Sequence, residues 1–103
     1  MRRSVNSATL KALREMPSAE ALALLAVHTK MDAAYAPIKD ARSRRWHAST
    51  ASADFEILTT GAKWWDTRAR KGGGGAIDLA MHLLQLSFVE AVQLLTERQL
   101  SRG

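Results

Sequence analysis

The chain contains no cysteine. That absence removes disulfides and every thiolate zinc site at once. Histidine is scarce too: His28, His47 and His82 lie far apart, with no HxxxH or HxH spacing, so no structural metal is expected and packing alone must hold the fold. No apolar run approaches the roughly 18 to 20 residues of a membrane span, and Leu22 to Val27 is too short for one. The Met1-Arg2-Arg3 opening is followed by no apolar stretch, so it does not read as a secretory signal, and a cytoplasmic protein away from membranes is expected. Catalytic signatures are missing as well. There is no Cys nucleophile and no Gly-x-Ser-x-Gly elbow, and Asp54, Glu56, Asp66 and Asp78 form no recognisable metal-ligand set. The chain is therefore not expected to be an enzyme or to carry a cofactor.

What is present is one modest core's worth of sequence. With 103 residues, 47% hydrophobic and 24% charged, the composition is that of a single folded domain rather than a disordered chain. The net charge is +5 and the pI about 10.2, which favours a polyanionic partner such as nucleic acid. Small basic proteins are common, so distribution matters more than the total. Lys39, Arg42, Arg44, Arg45, Lys63, Arg68, Arg70 and Lys71 crowd the middle third against Asp40, Asp54, Glu56 and Asp66.

The periodicity changes along the chain. Ser7 is placed to cap a helix through about Met16, and Pro17-Ser18 breaks it and caps a second helix carrying Leu22, Leu24 and Leu25 toward Met31. Weak helical character continues over 33–36 until Pro37 limits it. Between Ser43 and Thr67 the pattern alternates: Arg45, His47 and Ser49 against Trp46, Ala48 and Thr50, then Phe55, Ile57 and Thr59 against Glu56, Leu58 and Thr60. Gly61-Ala62 turns the chain into Lys63-Trp64-Trp65-Asp66-Thr67, which gives three short antiparallel strands. Gly72 to Gly75 are expected to end the sheet and release a helix over Ala76 to Gln85, with Ile77, Met81 and Leu84 spaced for burial. Ser87-Phe88-Val89-Glu90 is a capping box for a final helix to about Arg98, which Phe88, Ala91, Val92 and Leu95 would pack on the sheet.

Two features could carry function. Trp64 and Trp65 point to opposite faces of a strand, so one belongs to the core and the other is free to stack on an unpaired base; Trp46 could share a face with either. Tryptophan is more often core than platform, but here it is interleaved with Arg44, Arg45, Lys63, Arg68, Arg70 and Lys71. Those cations would contact phosphates rather than read bases. Four glycines before a helix could cradle a phosphate, yet no Gly-Lys-Ser/Thr follows and there is no GxGxxG in a βαβ unit, so a plain strand-to-helix turn is the simpler reading.

Residues 61–90 also carry a family likeness. An aromatic strand (Lys63-Trp64-Trp65-Asp66), a basic turn, a glycine run, a helix opening Ala76-Ile77-Asp78 and a second helix opening Ser87-Phe88-Val89-Glu90-Ala91-Val92 resemble the zinc-binding domain at the start of bacterial DNA primases. Counting back from Ala76 puts Thr67 and Arg70 where that family has a Cys-x-x-Cys pair. The likeness spans about residues 43–98 and is strongest from Lys63 to Leu95. It implies an α+β fold, zinc-ribbon-like but metal-free: a small antiparallel sheet of three or more strands packed on two C-terminal helices and preceded by N-terminal helices. Residues 1–36 would form the helical segment and 37–103 the primase-like module of one compact domain. It further implies a non-catalytic accessory that binds single-stranded or template DNA, of the kind found in replication or mobilisation proteins of plasmids and integrated elements. The alternative is a module that docks on a primase, helicase or relaxase through its leucine-rich N-terminal helices.

Overall fold

The computed structural model describes residues 6–102. In chain order the elements are α1 (Ser7–Glu15), α2 (Ser18–Leu25), β1 (His28–Met31), β2 (Arg44–Ser49), β3 (Asp54–Thr60), β4 (Lys63–Asp66), β5 (Lys71–Gly73), α3 (Ala76–Leu84) and α4 (Phe88–Arg102). The strands form one antiparallel meander in the order β1-β2-β3-β4-β5. The α+β class is therefore as expected, with five strands rather than the minimum of three. Among the described residues no single helix is long and apolar enough to cross a membrane.

Both added strands come from segments read differently in the sequence. Residues 28–31 do not extend α2. That helix stops at Leu25 once Ala21, Leu22, Leu24 and Leu25 have entered the core, and Val27 N–H donates to Ser49 O at 2.8 Å to start the pairing of β1 with β2. An otherwise open edge of β2 is covered in this way, and that tertiary gain outweighs weak local helix preference. At the other edge, Lys71–Gly73 pairs with β4 instead of ending the sheet, in the register Trp64↔Gly73, Trp65↔Gly72 and Asp66↔Lys71. Residues 32–36, outside any helix, begin the loop to β2.

The glycines of β5 answer to the tryptophans beside them. A Cβ on Gly72 would sit 2.7 Å from Trp65 Cε3, and one on Gly73 would sit 2.8 Å from the Trp64 indole, closer than atoms can pack. Gly74, by contrast, has nothing within 4 Å of such a Cβ. The run is thus a packing device at its first two positions and a connector after them.

Alternation divides the sheet. Trp46, Ile57 and Trp64 lie on the inner side, where α2 and α3 supply Leu22, Leu25, Ile77, Leu79 and Leu83. Arg45, Leu58, Lys63 and Trp65 lie on the outer side. Ser18 pins α2 to the β3–β4 turn rather than serving as its cap: its N–H donates to Gly61 O at 2.7 Å, and its hydroxyl lies 2.9 Å from Gly61 O and 2.7 Å from Lys63 O. Asn6, not Ser7, caps α1, accepting from Thr9 N–H at 2.8 Å.

The capping box forms as read, with Ser87 N–H donating to Glu90 Oε1 at 2.9 Å and Glu90 N–H to Ser87 Oγ at 3.2 Å. The helix it starts packs chiefly on α3 and α2 rather than on the sheet. Ala91, Val92 and Leu95 are buried there, whereas Phe88 is 40% exposed. Arg98 reaches across to donate to Leu24 O at 2.6 Å, satisfying a carbonyl at the end of α2.

Gly73→Ala is expected to cost about 1–3 kcal/mol of unfolding free energy, since the new methyl must displace Trp64. Gly74→Ala is expected to be neutral or to stabilise by up to about 1 kcal/mol, because it removes only unfolded-state freedom. Urea unfolding of the two variants beside the wild type checks the contrast.

Candidate nucleic-acid interface

Strand β4 sorts its two tryptophans. Trp64 is 4% exposed, and its Nε1–H donates to Gly75 O at 3.2 Å, so it is a core residue and is not available for stacking on a base. Trp65 is 44% exposed on the outer face. Its ring rests against Gly72, where no side chain intervenes, and across the sheet it stands beside Leu58, which in turn stands beside Arg45. Lys63 is exposed on the same face, two residues before Trp65. Trp46 joins the inner face with Trp64, its indole N–H donating to Thr59 Oγ1 at 2.9 Å.

The basic residues fall into three groups. Arg45 is already engaged: its Nε donates to Asp32 Oδ2 at 2.8 Å, its Nη2 lies 2.6 Å from the same oxygen, and its guanidinium sits 5.1 Å from the centre of the Tyr35 ring. The hydrogen bond from Arg45 holds the Asp32 carboxyl below its ordinary range, helped by the Ala34 N–H. Arg44 points to the opposite side of β2 and donates to Ala41 O and Ser43 O at 2.8 and 2.9 Å, apart from the Trp65 face. Lys63 remains exposed beside the β3–β4 turn, and Arg68, Arg70 and Lys71 remain exposed around the β4–β5 turn at the other end of the strand. Of these, Arg68 makes one long contact, to Asp54 O at 3.4 Å.

The turn that presents Arg68 and Arg70 is built on a buried carboxylate. Asp66 Oδ1 accepts from Arg68 N–H at 3.0 Å and Ala69 N–H at 2.9 Å, while Asp66 O accepts from Arg70 N–H at 2.8 Å. Arg70 closes the turn in the left-handed region at φ 57°. Thr67 Oγ1 lies 2.5 Å from Glu56 Oε1. Thr67 and Arg70 therefore have structural roles in the turn at the place where the primase likeness puts a metal-binding pair.

The other Asp66 oxygen reaches into the core, 2.7 Å from His82 Nε2, with the two side chains only 3% and 12% exposed. The imidazole stacks on Trp64 at 5.0 Å and meets Phe55 edge-on at 6.0 Å. Burial pushes the Asp66 carboxyl up, but the Ala69 N–H, His82 and the Arg68 N–H together outweigh it and leave the carboxyl below its ordinary value. The Asp66–His82 pair was not legible in the sequence. The only local signal was the Asp at the head of a turn, since nothing near either residue marks the other as its partner. Among the described residues no group of three or more His, Asp or Glu is placed to hold a metal ion.

The helix N-terminus after the glycine run is met by the chain's own anion, Asp78 Oδ2 lying 3.5 Å from Gly74 N. The run's fit to Trp64 and Trp65 accounts for Gly72 and Gly73 without a bound phosphate. No protein-family model, no curated protein and no solved structure matches this chain.

Asp66→Asn is expected to destabilise the protein by about 1–3 kcal/mol at neutral pH, the worth of hydrogen bonds to a charged group. Because the folded carboxyl is depressed, its contribution is complete above the unfolded value of about 4 and is lost as pH falls through the folded value. Thermal unfolding between pH 5 and pH 2 should therefore show a smaller acid loss in the variant than in the wild type.

Proposed function

We propose that this protein is a non-catalytic accessory that binds single-stranded or template DNA, in the replication, priming or transfer of a mobile element in the cytoplasm. The observation that carries the reading is Trp65. It is an exposed indole on the outer sheet face, backed by Gly72, with Lys63 on the same face and Arg68 and Arg70 in the β4–β5 turn beyond the strand's end, while Lys71 stands on the opposite face of the edge strand. Stacking on such a ring accepts any base, and the cations around it would follow the phosphates. Trp64 and Arg45 drop out of the binding set, since one is in the core and the other is neutralised by Asp32. Arg44 stands apart from it. The primase likeness of residues 61–90 supplies the replication context.

The docking alternative has less to stand on. Its leucines, Leu13, Leu22, Leu24 and Leu25, are spent in the core and leave little apolar surface on α1 and α2 for a primase, helicase or relaxase.

Fluorescence anisotropy of a labelled single-stranded oligonucleotide across a salt series tests the proposal. Trp65→Ala is expected to weaken binding by a factor of about 5 to 100, the worth of one base–aromatic stack. Arg68→Glu/Arg70→Glu/Lys71→Glu is expected to abolish most binding at low salt and to flatten the salt dependence. Absence of binding at low salt by the folded wild type would overturn the proposal.

A further inference from the structure

A cleft of about 360 Å³ opens between β5 and α3, on the far side of Gly72 from Trp65. That is the lower end of the size range of small-ligand sites. Met81 and Leu86 give it an apolar wall, and Lys71, Asp78, His82 and Gln85 give it polar groups.

The hydrogen bonds around the cleft determine what those groups still offer. His82 Nε2 is committed to the Asp66 carboxylate, so in the neutral ring Nε2 carries the proton and Nδ1 is left with its lone pair. Nδ1 makes no hydrogen bond to any described residue, and no buried side-chain nitrogen or oxygen among the described residues lacks a partner, so Nδ1 is open to the cleft. Gln85 donates an amide hydrogen to His82 O at 2.9 Å, which leaves its carbonyl oxygen free to accept. Asp78 is an exposed carboxylate whose one hydrogen bond, from Gly74 N–H, is stretched to 3.5 Å. The cleft therefore offers three acceptors, an apolar wall and one cation, Lys71.

A ligand that complements this set is flat, has apolar faces, carries several N–H donors on one edge and bears an anionic group. We infer that the cleft receives a single nucleotide whose base carries an exocyclic amino group, with the base edge toward His82, Gln85 and Asp78 and the phosphate toward Lys71. Guanine, adenine and cytosine have such donors. Thymine offers one N–H between two carbonyl oxygens, and those oxygens would face the acceptors of the cleft. Gly72 lines the cleft and also supports Trp65, and β5 is the edge strand of the sheet. A strand stacked on Trp65 thus reaches the cleft by crossing one residue that has no side chain. In that form the inference rests on the DNA-binding proposal, whereas the pocket for a free nucleotide does not.

The two are separated by testing them with different ligands. Amide spectra of the ¹⁵N-labelled protein, titrated in turn with dGMP, dAMP, dCMP and dTMP, are expected to show shifts at Gly72, His82 and the Gln85 side chain. Binding of dTMP should be weaker by a factor of about 10, in line with the discrimination that base-edge hydrogen bonds give. In parallel, oligo(dT) ending in one dG should bind more tightly than all-dT by a similar factor, and the Asp78→Asn/Gln85→Leu variant, checked for folding by circular dichroism, should lose that preference. Equal affinity for all four nucleotides, or shifts that avoid the cleft, would overturn the inference whatever oligo(dT) does. Cleft shifts with amino-bearing nucleotides but no oligonucleotide binding would support the pocket and overturn the strand-binding proposal.

Discussion

The structure depends on a buried carboxylate and imidazole meeting at 2.7 Å under a tryptophan ring. Asp66 closes the β4–β5 turn with one oxygen and reaches His82 on α3 with the other, so a single side chain joins a turn, an edge strand and a helix. A buried charge is costly unless it is paired and hydrogen-bonded, and here both oxygens are satisfied. Cross-linking of this kind is work that a metal ion often does in small domains. In a chain without cysteine, a hydrogen-bonded network does it.

From that bond follows the placement of everything on the β4–β5 edge. Fixing Asp66 inward fixes Trp64 inward and Trp65 outward, because strand residues alternate. Two large rings side by side on opposite faces then leave no room for side chains on the neighbouring strand, and Gly72 and Gly73 supply that space. The inner ring stacks on the histidine that holds Asp66, and the outer ring is the exposed aromatic of the sheet face. Core packing and surface presentation are thus one arrangement seen from its two sides.

Much of this was legible in the residues. Alternation in 43–67 located β2, β3 and β4, the capping box placed the start of α4, and the opposite orientations of Trp64 and Trp65 followed from strand geometry alone. The misses have physical causes. Residues 28–31 carry too little pattern to outweigh a leucine-rich helix just before them, and only pairing with β2 makes them a strand. Gly72 and Gly73 read as a turn because glycine is a poor strand former, a preference overruled by the tryptophans opposite. Arg45 looked like a free cation, while its partners, the neutralising Asp32 and the Tyr35 ring, stand at least ten residues away in the chain. Long-range pairs such as Asp66 with His82 leave no local trace at all.

The strand order β1-β2-β3-β4-β5 has a bearing on how the chain reaches its fold. Every ladder joins neighbours along the chain: the last three hairpins close over residues 50–53, 61–62 and 67–70, and only β1 to β2 spans a longer loop, over residues 32–43, so no strand waits for a distant one. The distant closures bring α1 and α2 onto α3 and α4, with Ser18 tied to the Gly61 turn and Arg98 to the end of α2. A protein with neither disulfide nor thiolate metal site to gather its ends makes that last joining by helix packing alone, on a sheet whose strands can pair without it.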